Sequence, residues 1–360
     1  MARLDFAFWD ALADEDGRDT ATTYERHLRL ATRIEELAWH SYFVIEHQNA
    51  PQGVTAPTVY LTAVARETSR LRLGAMIWQL PFYQPVRLAQ EVALLDQLSR
   101  GRVEFGTGIG VHEHEFIRWG VDYAQRSAIG EEVLDIVKLA WTCDEVTYYG
   151  KYFHYEEALP RPKPYQQPHP PIWAAVHSDE SFARAARKNY NVAKNLDTDD
   201  VVERKFDLFR RVWREANHAG PPPRIFLMRS IHVAPTDEQA HDEARQYLGI
   251  GTARFNGSPI ARTRVGWGSH GRGMGAESEL PDNKRRGATI AEADRSYDFN
   301  LEQGLALVGS PETVAREIEA RRQRLGFDVL CTNHQLGCMP PEMVDRSIEL
   351  FGREVIPSFR

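Results

Sequence analysis

Cysteine is scarce in this sequence: Cys143, Cys331 and Cys338 are the three in 360 residues. They make neither a disulfide framework nor a CxxC pair for zinc or redox work, which suits a reducing, intracellular compartment. Long apolar runs are also missing. No stretch approaches the roughly 18–20 residues of a membrane span. The opening MARLDFAFWDALADEDGRD lacks a basic segment followed by an apolar core, so it does not read as a signal peptide. A cytoplasmic protein is expected. Nor is there an excess of basic charge: 44 Lys plus Arg stand against 51 Asp plus Glu, a formal charge of −7. That disfavours nucleic acid or an anionic membrane as the main partner, because both need a basic face.

What is present fits a soluble globular chain, since 42% apolar and 26% charged residues is ordinary composition. At roughly 100–200 residues per domain the length allows two domains. A single barrel of about 250 residues with insertions is equally allowed. Short apolar strands alternate with longer amphipathic stretches. Strands are predicted at Leu4–Trp9, Tyr42–Glu46, Leu71–Ile77, Arg102–Thr107, Ile172–Val176, Asn191–Asn195, Ile225–Val233 and Phe327–Thr332. Helices are predicted over 22–38, 58–68, 86–98, 127–141, 179–188, 199–217, 236–248, 311–325 and 343–353. Thr22 or Thr23 is the expected cap of the first, and the third begins just after Pro85.

Eight strands joined by helical crossovers point to parallel β/α packing, and the count favours a (β/α)8 TIM barrel over an open doubly wound sheet. Two stretches interrupt the rhythm of this single barrel domain, at about 144–170 and 249–306. Residues 146–156 read as a hairpin turning at Gly150-Lys151, and the six prolines of 160–171 demand an extended connection. Residues 249–306 contain GIGTARFNG, GWGSHGRGMG and NKRRG. A loop this long is uncommon unless it is a lid, a binding loop or disordered. Its position before the last helix–strand unit favours a lid over the barrel mouth, with Trp267 as its apolar plug.

In such a barrel the active site lies where the strands end, at the C-terminal face. Those ends carry Trp9, His47, Ile77 and Trp78, Thr107 and Gly108, His112 and His114, Val176, His177 and Ser178, and Asn333. They describe a mouth with aromatic walls, several imidazoles and few carboxylates. His47 is the best candidate for proton chemistry, because a histidine side chain ordinarily titrates near neutrality. A structural histidine is the alternative. HEHE (112–115) has the His-x-His spacing of metal ligands, and also suits exposed loop residues or contacts to a ligand. GTGIG (106–110) falls short of a dinucleotide fingerprint, which needs glycine where Val111 stands. Small residues there let something flat lie close to the backbone. Ser178-Asp179-Glu180-Ser181 opens a helix, where hydroxyls and free N–H groups form an anion site, a plain cap, or both.

Several ordered motifs together resemble the bacterial luciferase-like, flavin-dependent monooxygenases, from about residue 4 to 356. The most specific is LPFYQPVRLAQEVALLDQLSRGRVEFGTGIG (80–110). SYFVIEHQ (41–48), PRPKPYQQPHPPIWAAVHSDES (160–181) and LVGSPETVAREI (307–318) follow in the family's order. The resemblance implies a TIM barrel that takes reduced FMN from a separate NAD(P)H:flavin reductase and reacts it with O2. A C4a-(hydro)peroxyflavin then oxygenates a small organic, largely apolar substrate. It also implies a homodimer or homo-oligomer.

Residue by residue, His47 falls on the first His of the family's EHH motif, its catalytic imidazole, while Gln48 replaces the second. Ser178 and Ser181 fall on hydroxyls that bind the flavin phosphate. Met76 and Ile77 fall on a cis non-prolyl bond against the flavin ring. Gly108 falls where luciferase itself has a cysteine. Thr107, Val176 and His177, the last replacing a family Glu, are expected beside the cofactor. Trp9, Trp78, His112, His114, Trp267 and Asn333 are expected around the substrate. Ile109 replaces an Arg that helps hold phosphate, and Arg184 or Arg187 is the expected substitute. No metal is expected in this reading. The rivals are a deazaflavin-dependent oxidoreductase of the same superfamily, a metal-dependent barrel hydrolase using His112 and His114, and a flavin-binding relative without activity.

Overall fold

The computed structural model describes residues 3–12, 19–48, 53–249 and 281–360. Eight parallel strands close into a barrel. They are β1 (Asp5–Asp10), β2 (Ser41–Val44), β3 (Arg72–Gln79), β4 (Val103–Gly108), β7 (Ile172–Ala175), β8 (Asn191–Lys194), β9 (Ile225–Val233) and β11 (Val329–Asn333). Each pairs with the next in that order, β8 pairs with β9, and β11 returns to β1 through Asp5↔Val329. These are the eight strands predicted from sequence, each end within two residues. The predicted hairpin forms as β5 (Val146–Tyr149) and β6 (His154–Ala158), an antiparallel pair outside the barrel.

The nine predicted helices form too. They are α1 (Thr20–Glu36), α2 (Pro57–Glu67), α3 (Pro85–Ser99), α5 (Arg126–Thr142), α6 (Asp179–Arg187), α7 (Asp199–Glu215), α8 (Asp237–Ala244), α11 (Pro311–Leu325) and α12 (Pro341–Leu350). Their ends follow local chemistry. The α1 cap is Asp19 rather than a threonine, because its carboxylate accepts from both the N–H and the hydroxyl of Thr22. Ser310 caps α11, and Gly326 ends it in the left-handed region.

Two sequence readings need correction. HEHE is not a solvent loop: His112 stands just before a short helix, α4 (Glu113–Trp119), which Gly120 ends at positive φ. It holds because Glu115 and Phe116 are buried on one side. Nor is the whole of 249–306 a loop. Residues 281–306 hold α9 (Pro281–Ala293), α10 (Tyr297–Glu302) and the start of a short strand, β10 (Ala306–Gly309). Ser230 of β9 pairs with Asn333 on one side and with Ala306 on the other. So β10 continues the edge of β9 beyond the point where β8 stops. Trp267 and the rest of the expected lid, 250–280, lie outside the described residues.

Alternation along the strands divides the core in two. A large outer layer packs the sheet against the helices through Phe6, Phe8, Val44, Leu73, Phe105, Val192 and Leu227. A smaller layer fills the barrel with Ala7, Phe43, Met76, Trp173, Ala193, Phe226, Met228, Val329 and Cys331. Glycines let the strands close: a Cβ on Gly106 would lie 2.2 Å from the Ala75 carbonyl oxygen.

Candidate active site

The inner layer ends at the C-terminal mouth, where the half-buried Trp9 and Ile77 pack on it. The Met76–Ile77 peptide bond is cis, as the resemblance implied, and the β3–β4 register shifts between Ala75 and Trp78. Met76 and Ile77 both belong to the inner layer, whereas Trp78 belongs to the outer one. Trp78 is fully buried, with its indole N–H donating to the Thr58 hydroxyl at 3.3 Å. It is therefore a core residue behind the sheet, not a wall of the mouth. Opposite Ile77 stands Gly108, where a Cβ would lie 2.1 Å from the far end of the Ile77 side chain. Thr107 is buried with its hydroxyl donating to the Trp173 carbonyl, and Val176 is buried in the outer layer, so neither side chain reaches the mouth. Asn333 ends β11 half-buried, and its side-chain oxygen accepts from the Gln335 N–H at 3.2 Å.

His47 is held from behind. Its Nδ1 lies 3.0 Å from Glu115 Oε1 of α4. The same carboxylate accepts from the Gln48 N–H at 3.2 Å and, through Oε2, from the Gln79 amide at 3.2 Å. Burial raises the Glu115 pKa, but the hydrogen bond and charge of His47, with Gln79 and His112, leave it below the ordinary carboxylate value. An ionised Glu115 favours the His47 tautomer with its proton on Nδ1, which leaves the ring's lone pair on Nε2. Glu46, next to it, behaves in the opposite way. Its burial, with a small contribution from the Glu115 charge, pushes it up to about 8 against hydrogen bonds from Gln79, Gln48 and Tyr83. At neutral pH the two carboxyls of this network differ by a proton.

His112 and His114 continue the row of imidazoles, with ring centroids 5.4 Å from His47 to His112 and 5.5 Å from His112 to His114. Burial lowers the pKa of His114. The further ligands that a metal-dependent hydrolase would need are not with them. His334 is completely buried on Ser347 at 2.9 Å, and His177 Nδ1 faces the Lys194 ammonium at 3.3 Å. Among the described residues no group of three or more His, Cys, Asp and Glu side chains is arranged to hold a metal ion.

On the other side of the mouth α6 begins. The Ser178 hydroxyl accepts from the Ser181 N–H at 3.2 Å, so it caps the helix. The Ser181 hydroxyl donates to the Ser178 carbonyl at 2.7 Å and accepts from the His177 N–H at 3.0 Å. The N–H groups of Ser178 and Glu180 have no acceptor among the described residues. Burial, then the charges of Arg286 and Lys194, push the His177 imidazole well below its usual range, so it is neutral. Lys194 is fully buried against Asp197 at 2.8 Å. Arg184, one expected phosphate partner, instead pairs with Glu131 at 2.8 Å, and Arg187 is exposed.

With that geometry established, the match to a known family model decides the identity. The model, described as luciferase-like monooxygenase, covers residues 5–329. The chain belongs to the luciferase-like monooxygenase family. It is 28% identical over 230 residues to the oxygenase component of the flavin-dependent trigonelline monooxygenase of Acinetobacter baylyi, spanning 62% of this chain and 63% of that one. The oxygenating constituent of 3,6-diketocamphane monooxygenase from Pseudomonas putida, solved with FMN, superposes with a TM-score of 0.79 at 22% identity, covering 99% of both chains. An F420-dependent secondary alcohol dehydrogenase superposes with a TM-score of 0.71 at 18% identity, covering 99% of both chains. At these identities the two structures establish the shared barrel, and the family membership makes the chain an oxidoreductase of a flavin-using superfamily.

Three features around the mouth of this luciferase-like chain do not show in its sequence. Glu115 lies inside the HEHE motif, three residues after His112 and so on its side of α4, but the eye falls on the histidines. Glu46 precedes His47 at the end of its predicted strand, and nothing in the motif shows that its carboxyl is buried. Arg286 lies in NKRRG, within a segment read as loop, and nothing local marks it as buried.

Proposed function

We propose that this chain is the oxygenase component of a two-component flavin monooxygenase. It takes reduced FMN from a separate NAD(P)H-dependent reductase and uses O2 on a small, largely apolar organic substrate. The observation that carries the reading is one barrel mouth joining an apolar floor to an anion-ready edge. Trp9, Met76 and Ile77 make the floor, with Gly108 bringing bare backbone beside it. A flat heteroaromatic ring suits that surface. The free N–H groups at the start of α6 and the Ser178 hydroxyl suit a phosphate. Bound reduced FMN supplies the electrons with which O2 is activated.

The residues of the chain do the rest. Glu115 orients His47, and the Nε2 nitrogen of His47 holds or delivers a proton at the mouth. The apolar floor excludes water, which favours passing oxygen to the substrate over losing it as peroxide. Anaerobic titration tests the cofactor: reduced FMN should bind more tightly than a reduced deazaflavin. Preference for the deazaflavin, with no O2 uptake, would move the chain to the dehydrogenases of the superfamily.

A further inference from the structure

The cations packed around the start of α6 are nearly all matched by carboxylates. Lys194 has Asp197 at 2.8 Å. Lys205 has Asp179 at 2.5 Å and Asp282 at 2.9 Å. Arg285 also pairs with Asp197 and Asp282. Arg286 is the exception. Its side chain is 8% exposed, its Nε is buried without any partner, and no hydrogen bond or ion pair reaches it among the described residues. The nearest opposite charge that acts on it is Asp197, which is already bonded to both Lys194 and Arg285. A buried guanidinium without a partner of its own is destabilising unless something brings a further opposite charge.

Its position says where that charge would sit. Asp282 of α9 accepts the N–H of Asp179, so the first turn of α9 rests on the first turn of α6. Arg286 is four residues further along α9, on the same face as Asp282. Its charge acts on His177, whose own N–H bonds the Ser181 hydroxyl. So an unpaired, buried cation and a helix N-terminus with two free N–H groups meet beside His177. The two features are independent, and both attract an anion.

We propose that Arg286 is the counter-charge of a phosphate monoester seated at the start of α6, and that this group is the phosphate of FMN. The proposal rests on the flavin reading above and deepens it. A planar guanidinium that can donate two parallel hydrogen bonds suits phosphate better than an ammonium would.

The test compares FMN, riboflavin and inorganic phosphate on the full-length protein and on Arg286→Gln and Arg286→Lys. Loss of one charge-assisted contact is worth about 10- to 100-fold in affinity. FMN should therefore weaken by about that factor in Arg286→Gln, with riboflavin changed less than about twofold, and Arg286→Lys should fall between. Inorganic phosphate should compete with FMN and not with riboflavin. Without any anion, Arg286→Gln should melt at the same temperature or higher, because a buried unpaired charge has been removed; a merely structural arginine would lower it. An unchanged ratio of FMN to riboflavin affinity in Arg286→Gln overturns the proposal, as does equal weakening of both flavins. If the parent protein binds no flavin but phosphate raises its melting temperature only while Arg286 is present, the flavin reading fails and the anion site stands with another phosphate ester as its ligand.

Discussion

The buried carboxyl of Glu46 makes a stability prediction that needs no substrate. The side chain is 2% exposed, with Oε1 accepting from the Gln48 amide at 2.8 Å and Oε2 from the Gln79 N–H at 2.8 Å. Burial dominates these bonds and raises its pKa from 4.5 to about 8. Between those values the folded protein keeps a proton that the unfolded chain has released. Stability therefore falls as pH rises through the window and levels off above it. From pH 5 to pH 9 the loss from this one group is about 3–4 kcal/mol, at about 1.4 kcal/mol per unit. Glu115 does not confuse the result, because its pKa is lowered and its contribution is lost only as pH falls below the ordinary carboxylate range. Glu46→Gln keeps the shape and cannot ionise. Urea unfolding at pH 5 and pH 9 should show the variant gaining on the parent by about that amount. Parallel pH dependences in parent and variant would refute the argument that Glu46 is a neutral acid beside an ionised Glu115.

His47→Ala should lower product formed per O2 consumed by about 10²–10⁴-fold, the usual worth of a positioned acid or base, with FMN affinity retained in a binding titration. Glu115→Gln should lose about 10- to 100-fold in the same ratio, as one charge-assisted hydrogen bond to His47 is removed, and should cost nothing further when combined with His47→Ala. Ser178→Ala with Ser181→Ala should weaken FMN more than riboflavin by equilibrium dialysis, and should also lower thermal stability, since Ser178 caps α6. Gly106→Ala should destabilise by at least about 1–3 kcal/mol in urea unfolding, because its Cβ meets strand backbone. Gly108→Ala should be tolerated, because only the end of Ile77 must move.

Most of the barrel was legible because its signals are periodic and local. Ile225–Val233 and 311–325 appear at their predicted bounds, one opening on the apolar run 225–228 and the other framed by Ser310, Pro311 and Gly326. What failed to show was decided by contacts distant in sequence. The α4 helix is seven residues long and holds because Glu115 bonds His47, 68 residues away. Nothing in NKRRG reveals that Arg286 is buried near His177. Trp78 reads as a wall of the mouth because it stands at the end of the predicted strand Leu71–Ile77. The register shift at Met76 and Ile77 turns it outward instead.

In the proposed function the mouth holds reduced FMN and directs O2 onto an organic substrate. Rapid mixing of the anaerobic complex of protein and reduced FMN with aerated buffer tests it most directly. Flavin oxidation should be slower than that of free reduced FMN, with a transient absorbance distinct from both reduced and oxidised flavin. Oxidation at the rate of free flavin, with no transient, would contradict it.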